Sequence, residues 1–165
     1  MAATRPKLTL ERTFRASIHE VWELWTTREG IEAWWGPDGF SVEVQSLELR
    51  AGGDLVYVMS AVAPEQIDYM KKAGMPVSTH HTLTFIEVSA PRRLAYTNTV
   101  DFVPGVEHYQ VATLLELCEV EGGGTRLVLT FDAMHDDRWT QLARMGHESE
   151  LERLDRLLAA RNSSL

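Results

Sequence analysis

The strongest constraint on this chain is its final stretch, from Asp136 to about Asn162. Drawn as a helix it is about 40 Å long at 1.5 Å per residue, enough to cross a small domain. Steps of about 100° per residue put Trp139, Leu142, Ala143, Gly146, Leu154 and Leu157 on one side, with Leu151 and Leu158 on its flank. The opposite side carries Glu148, Glu152 and Asp155. A helix so divided must lie against an apolar surface. Asp136 and Asp137 suit its start, where unpaired N–H groups and the helix dipole favour negative charge. Two residues break the stripe. Glu150 falls near the middle of the apolar side and His147 towards its edge, one turn apart. Ionisable groups on a buried face need partners or a wet cavity, so the pair points to a pocket beneath this helix.

The rest of the chain must supply the apolar surface. Its 165 residues are expected to form one domain spanning 1–165, large enough to bury a core without staples. A net charge of -8 argues against binding to nucleic acid or to an anionic membrane, both of which select basic faces. Cys118 is the one cysteine, so no internal disulfide is expected, and its strand-like setting predicts a buried thiol. Met1 to Leu10 contains no long apolar run, and no window approaches the ~18 apolar residues of a membrane span. Neither a signal peptide nor membrane insertion is therefore expected, and the chain reads as cytoplasmic.

Alternation predicts a strand over Lys7–Phe14. Ser17 with Glu20 forms a capping box, after which Ile18, Val21, Trp22, Leu24 and Trp25 follow at helical spacing to about Thr26. A second short helix begins near Thr27 and ends at Gly36-Pro37-Asp38-Gly39. Ser41–Leu49 and Asp54–Ser60 read as a hairpin around Gly52-Gly53, with a bulge at Gln45-Ser46. The segment from Ala61 to His81 admits two readings: a short helix opened by Pro64, or a loop. Further strands follow at Thr82–Val88, Arg93–Val100, Tyr109–Val120 and Thr125–Phe131, the last two joined at Gly122-Gly123-Gly124. This order is α+β: a curved antiparallel sheet of about six to seven strands wrapped around the long C-terminal helix, with two short helices after the first strand.

Local words along nearly the whole chain strengthen that reading. They are Arg12-Thr13-Phe14-Arg15-Ala16 with Val21-Trp22, Trp34-Trp35-Gly36-Pro37, Gly52-Gly53-Asp54, and Glu87 with Pro91-Arg92-Arg93-Leu94-Ala95-Tyr96-Thr97. Gly122-Gly123-Gly124-Thr125-Arg126-Leu127 and Met145-Gly146-His147 through Leu151 and Leu154 complete the series. The chain resembles the Bet v 1-like, START-like (SRPBCC) helix-grip superfamily, and within it the Hsp90-ATPase-activator-homologue type of small bacterial domain. The resemblance implies an apolar cavity beneath the C-terminal helix, in a superfamily that contains lipid and hormone carriers, polyketide cyclases and hydroxylase subunits. Two departures alter that expectation locally. Relatives usually carry Trp where this chain has His147, and the segment from Pro64 to His81 is longer than usual.

Candidate ligand-binding residues follow from both lines. His147 and Glu150 are candidates for orienting a ligand or moving a proton, because a histidine titrates near neutrality and burial raises a carboxyl pKa. The plainer alternative is a slightly rotated helix with both groups in solvent. Tyr57, Met59, Phe85, Tyr96 and Phe131 are candidates for the lining of the concave face, as is His81, since of His80 and His81 only one can point inward. Trp35 and Trp139 are aromatic candidates at the pocket, although packing of the short helices on the sheet also accounts for the tryptophans. The histidine spacing does not suggest a metal site, no cofactor motif occurs, and the glycine pairs suit hairpins better than phosphate loops. The leading expectation is a carrier or sensor of a small hydrophobic molecule such as a lipid, polyketide or aromatic compound. The alternatives are a cyclase-, aromatase- or hydrolase-type enzyme using the same cavity, or a module that binds a chaperone or regulator. A homodimer is compatible with either.

Overall fold

The computed structural model describes residues 5–163; the reading made for Met1–Thr4 lies outside them. The chain runs β1 (Lys7–Phe14), α1 (Ile18–Thr26), α2 (Arg28–Trp34), β2 (Phe40–Leu47), β3 (Asp54–Ala61) and α3 (Pro64–Lys72). It continues through β4 (Ser78–Ser89), β5 (Arg93–Val100), β6 (Tyr109–Glu119) and β7 (Thr125–Asp132) to α4 (Asp137–Ser163). The seven strands form one curved antiparallel sheet in the order β1-β7-β6-β5-β4-β3-β2. Five hairpin-type neighbours make a meander from β2 to β7, and β1 closes onto β7, with Leu10 opposite Leu129.

Local chemistry accounts for the element ends. The Ser17 hydroxyl accepts from the Glu20 N–H at 3.1 Å, as the capping box requires, and the Thr27 hydroxyl does the same for Gly30 at 3.0 Å. Asp136 caps α4 through a 2.8 Å bond from the Trp139 N–H. Gly122 and Gly123 both have positive φ, 89° and 85°, which the tight connection between β6 and β7 needs and side chains with a Cβ resist. The bulge expected in β2 lies between Val44 and Ser46. Of the two readings for Ala61–His81, the helical one holds as α3, with Pro64 in its first turn.

Alternate residues of each strand face one side and are buried: Leu10 and Phe14, Leu55 and Tyr57, Leu83 and Phe85, Leu94 and Tyr96, Leu115 and Leu117, Leu127, Leu129 and Phe131. They join the buried residues of α1 and α2 and Leu151, Leu154 and Leu158 of α4 in one core. Backbone of α4 comes closest to α2 and β1. Two expectations are corrected here. Cys118 is exposed, because Leu115 and Leu117 point inward and strand alternation turns Cys118 to the outer face. Leu142, placed on the apolar stripe, is 46% exposed, while the flank residues Leu151 and Leu158 are buried. From Asp137 to Glu150 no residue of α4 is fully buried; its core contact is made by the C-terminal half.

Candidate functional site

The ends of β3, β4, β5 and β7 and the middle of α4 bring most of the candidate residues to the inner side of the sheet. On β3, Tyr57 is buried and Met59 half-buried on the same face. On β4, His81 takes the inward position and His80 is exposed. The His81 ring stacks on Tyr57 with centroids 5.1 Å apart and an interplanar angle of 16°, and its Nε2 is 2.7 Å from the Thr79 hydroxyl. Burial lowers the His81 pKa, partly opposed by the charge of Asp101, so the ring is neutral near pH 7. Phe85 is buried on the same face of β4. On β7, Phe131 meets the His147 ring at 4.4 Å. Trp35 closes the site from the end of α2, with its ring edge towards Tyr57 at 6.4 Å and tilted to Tyr96 at 6.3 Å.

Glu150 is the electrostatic centre of this group. Desolvation raises its pKa from 4.5 to about 7, against an opposing effect of the Arg153 charge. Its charge reaches the hydroxyls of both Tyr57 and Tyr96 and adds to the burial that raises their pKa values. The Trp35 indole and the Thr113 hydroxyl hydrogen-bond to these two phenols and act in the opposite direction. Among the described residues the Glu150 carboxyl has no hydrogen bond or ion pair of its own. It nevertheless keeps some accessible surface, as does His147. His147 is held neutral by burial, its pKa lowered to about 4. Trp25 Nε1, unlike the Glu150 carboxyl, is fully enclosed and without a hydrogen-bond partner.

Trp139 stands apart from the other candidates. Eleven residues before Glu150 on a straight helix places it about 16 Å away at 1.5 Å per residue. There it meets Phe102 at 5.7 Å and His135 at 6.1 Å, and His135 in turn bonds the Tyr109 hydroxyl at 2.6 Å. This cluster joins the loop 101–108 and the start of β6 to the start of α4, and Phe102 is 54% exposed.

Arg153 and Thr113 belong to the site but were not among the sequence candidates. Arg153 donates to the carbonyl oxygens of Gly36, Pro37 and Phe40 at 2.9, 3.0 and 3.1 Å. The loop can offer three carbonyls to one guanidinium because Gly36 and Gly39 take φ of 92° and 89°. Arg156 adds a 2.6 Å bond to Asp38. Together they fasten α4 to the α2–β2 loop and fix the depth of Glu150. Replacing Arg153 by Met is expected to cost about 1–3 kcal/mol, since three carbonyls lose a charged donor, and to raise the Glu150 pKa further. Urea midpoints and a carboxyl NMR titration check the two effects separately. Both residues were legible in retrospect: Arg153 is one helical turn beyond Glu150, and Thr113 shares strand parity with Leu115.

A curved antiparallel sheet gripping one long helix, with polar groups gathered on the inner face, defines the helix-grip class. Within it, residues 15–159 match the profile of the family described as Activator of Hsp90 ATPase homolog 1-like protein, and the chain belongs to that family. No curated protein matches it in sequence. Among solved structures, a protein of Chromobacterium violaceum superposes with a TM-score of 0.74 at 19% identity, over 92% of this chain and 96% of that one. The AHSA1 protein of Silicibacter pomeroyi gives 0.72 at 19%, over 94% and 99%. A Staphylococcus epidermidis protein gives 0.71 at 24%, over 97% and 93%. At such identities these likenesses speak for the fold alone. Among the described residues no helix is long and apolar enough to cross a membrane.

Proposed function

We propose that this protein is a cytoplasmic carrier or sensor of a small, largely apolar molecule, held in a cavity between the inner face of the sheet and the N-terminal half of α4. The observation that carries this reading is the Glu150 carboxyl, half-buried on α4 without a hydrogen-bonding partner among the described residues and near enough for its charge to act on the phenols of Tyr57 and Tyr96. A carboxyl that is largely desolvated and left unpaired is costly, and such a group is retained where a ligand completes it. Aromatic and aliphatic walls would supply affinity, while Glu150, Tyr57, Tyr96 and His147 would set orientation. His147, where the family resemblance implies Trp, packs on Phe131 with ring centroids 4.4 Å apart, and the larger indole would take up more of the space beside it.

Two measurements test the proposal. Native mass spectrometry of gently purified protein should show extra mass that disappears on denaturation. His147→Trp should then weaken binding of the identified molecule by about tenfold or more, a loss on the order of 1.4 kcal/mol. Unaltered affinity would remove His147 from the site.

One observation favours a second reading. An acid with a pKa of about 7 is matched to proton transfer at neutral pH, which suits an enzyme of cyclase, aromatase or hydrolase type acting on a bound ketone. Turnover that vanishes in Glu150→Gln while binding persists would select this reading over simple carriage.

A further inference from the structure

We propose that the outward face of α4, centred on Met145, is where two copies of this chain meet, their helices antiparallel about a two-fold axis. The proposal is independent of the cavity reading, because it concerns the other side of the same helix. Nine steps of about 100° put the buried Leu154 half a turn away from Met145.

Three observations carry it. First, the outward face is apolar near its middle. Met145 and Leu142 are 56% and 46% exposed and lie three residues apart, so they are neighbours on the helix surface. Beside them, a Cβ built on Gly146 would meet nothing within 4 Å. Second, two unpaired charges stand at equal distances from Met145. Arg138 precedes it by seven residues and Glu152 follows it by seven. Seven residues fall about 20° short of two turns, so all three share one exposed line about 21 Å long. Arg138 and Glu152 are both exposed, and among the described residues neither has a hydrogen bond or an ion pair. Other charges nearby are already engaged: Arg144 with Glu148 at 3.0 Å, and Arg156 with Asp38 at 2.6 Å. Third, this pattern is complementary to itself. A two-fold axis through Met145 sets each residue opposite the one equally far along the helix on the other side of Met145. Arg138 then faces Glu152 of the second copy, and Glu152 faces its Arg138. Met145 meets its own counterpart on the axis, and Leu142 lies against the methylenes of Glu148, whose carboxylate Arg144 holds aside.

The same charges select the occupant and its direction. A parallel pair would set Arg138 against Arg138 and Glu152 against Glu152, whereas the antiparallel pair also places opposite ends of the two helix dipoles side by side. A second copy matches the spacing by symmetry, as isologous interfaces do. One stripe of one helix offers less than the ~800 Å² per partner of a stable complex, so the dimer is weak and concentration-dependent. Its exposed ion pairs fix orientation more than they add affinity.

Sedimentation equilibrium of the full chain from about 5 to about 500 μM tests the proposal, a range suited to weak interfaces. The average mass should climb from the 18.7 kDa of one chain towards twice that value. Met145→Asp should keep the chain monomeric throughout. Arg138→Glu sets like charges opposite each other at both ends and should weaken association about tenfold. The double inversion of Arg138→Glu with Glu152→Arg should restore it to within a few-fold, a rescue that an apolar patch alone would not give. In a Cys118→Ser background, Met145→Cys should form a disulfide-linked dimer under air and copper phenanthroline, while Ile86→Cys, also exposed, should not. Every replaced side chain is exposed, so thermal melts should stay close to the wild type. A mass that remains at one chain up to the highest concentration overturns the proposal. So does a dimer that survives Met145→Asp, or one that the double inversion fails to rescue, since either would place the contact elsewhere.

Discussion

Trp34→Ala is expected to destabilise the protein by about 3–5 kcal/mol, the range for removing a fully enclosed aromatic side chain. Trp34 has 0% exposure. Its indole N–H donates to the Leu24 carbonyl at 2.8 Å, and its ring sits edge-on to Trp25 at 4.7 Å and Trp35 at 5.3 Å. Truncation therefore leaves a cavity, an unpaired carbonyl at the C-terminal end of α1 and two unsupported tryptophans. Trp34→Phe separates the contributions. It keeps much of the ring and loses the hydrogen bond, and should cost about 1–2 kcal/mol. Chemical denaturation measures both. A loss below about 1 kcal/mol for Trp34→Ala would mean that the tryptophan cluster is not what holds α1 against α2.

Glu150→Gln should change stability in a pH-dependent way. In the unfolded chain the carboxyl ionises near 4.5, and in the folded protein near 7. Below pH 4.5 both states are protonated and the residue contributes no pH dependence. Between the two values the unfolded state releases its proton first, so wild-type stability falls as pH rises. Above about pH 7 both are ionised and the whole cost is present. At ~1.4 kcal/mol per pH unit that cost is bounded near 3 kcal/mol, less whatever its accessible surface returns in solvation. The variant is thus expected to be more stable than the wild type by about 1–3 kcal/mol at pH 8 and equal to it at pH 4. Urea titrations at the two pH values decide, and a variant no more stable at pH 8 would place the carboxyl in solvent. His147 works the other way. Its pKa is lowered from 6.5 to about 4, so its contribution is intact above 6.5 and is lost as pH falls towards 4. Between 4.5 and 6.5 the two slopes cancel, and the wild-type curve hides both residues.

The elements were legible in the sequence wherever an apolar period marked them, and the exceptions share a physical cause. Strand β4 begins at Ser78, four residues before the alternation becomes visible, because its inward positions there are Thr79 and His81 instead of aliphatic residues. Pairing of Ser60 with Ser78 and of Tyr57 with His81 sets that part of the strand, and no local pattern reveals a partner across the sheet. For α4, periodicity identified a face but not where along it the sheet ends. Leu142 looks like core in sequence and is exposed in the fold. Cys118 is a different case: its outward position follows from the parity of Leu115 and Leu117 and was available from the start. The pair His147 and Glu150 was legible as an anomaly in the stripe. Its setting was not, since the phenols, Trp35 and Thr113 come from elements far apart in the chain.

The pairing of β1 with β7 governs how the protein is made. During synthesis β1 leaves the ribosome early, but the strand it must join appears only when translation has passed Phe131, the partner of Leu8. Until then its inward leucines and Phe14 have no sheet to cover them, and β2 to β6 can form only a meander with an open edge. Such long-range closure slows folding and exposes apolar surface while it is pending. The nascent chain is therefore most vulnerable to aggregation just before its last strand and helix emerge, and a stalled product ending ahead of β7 would be a substrate for chaperones and proteases.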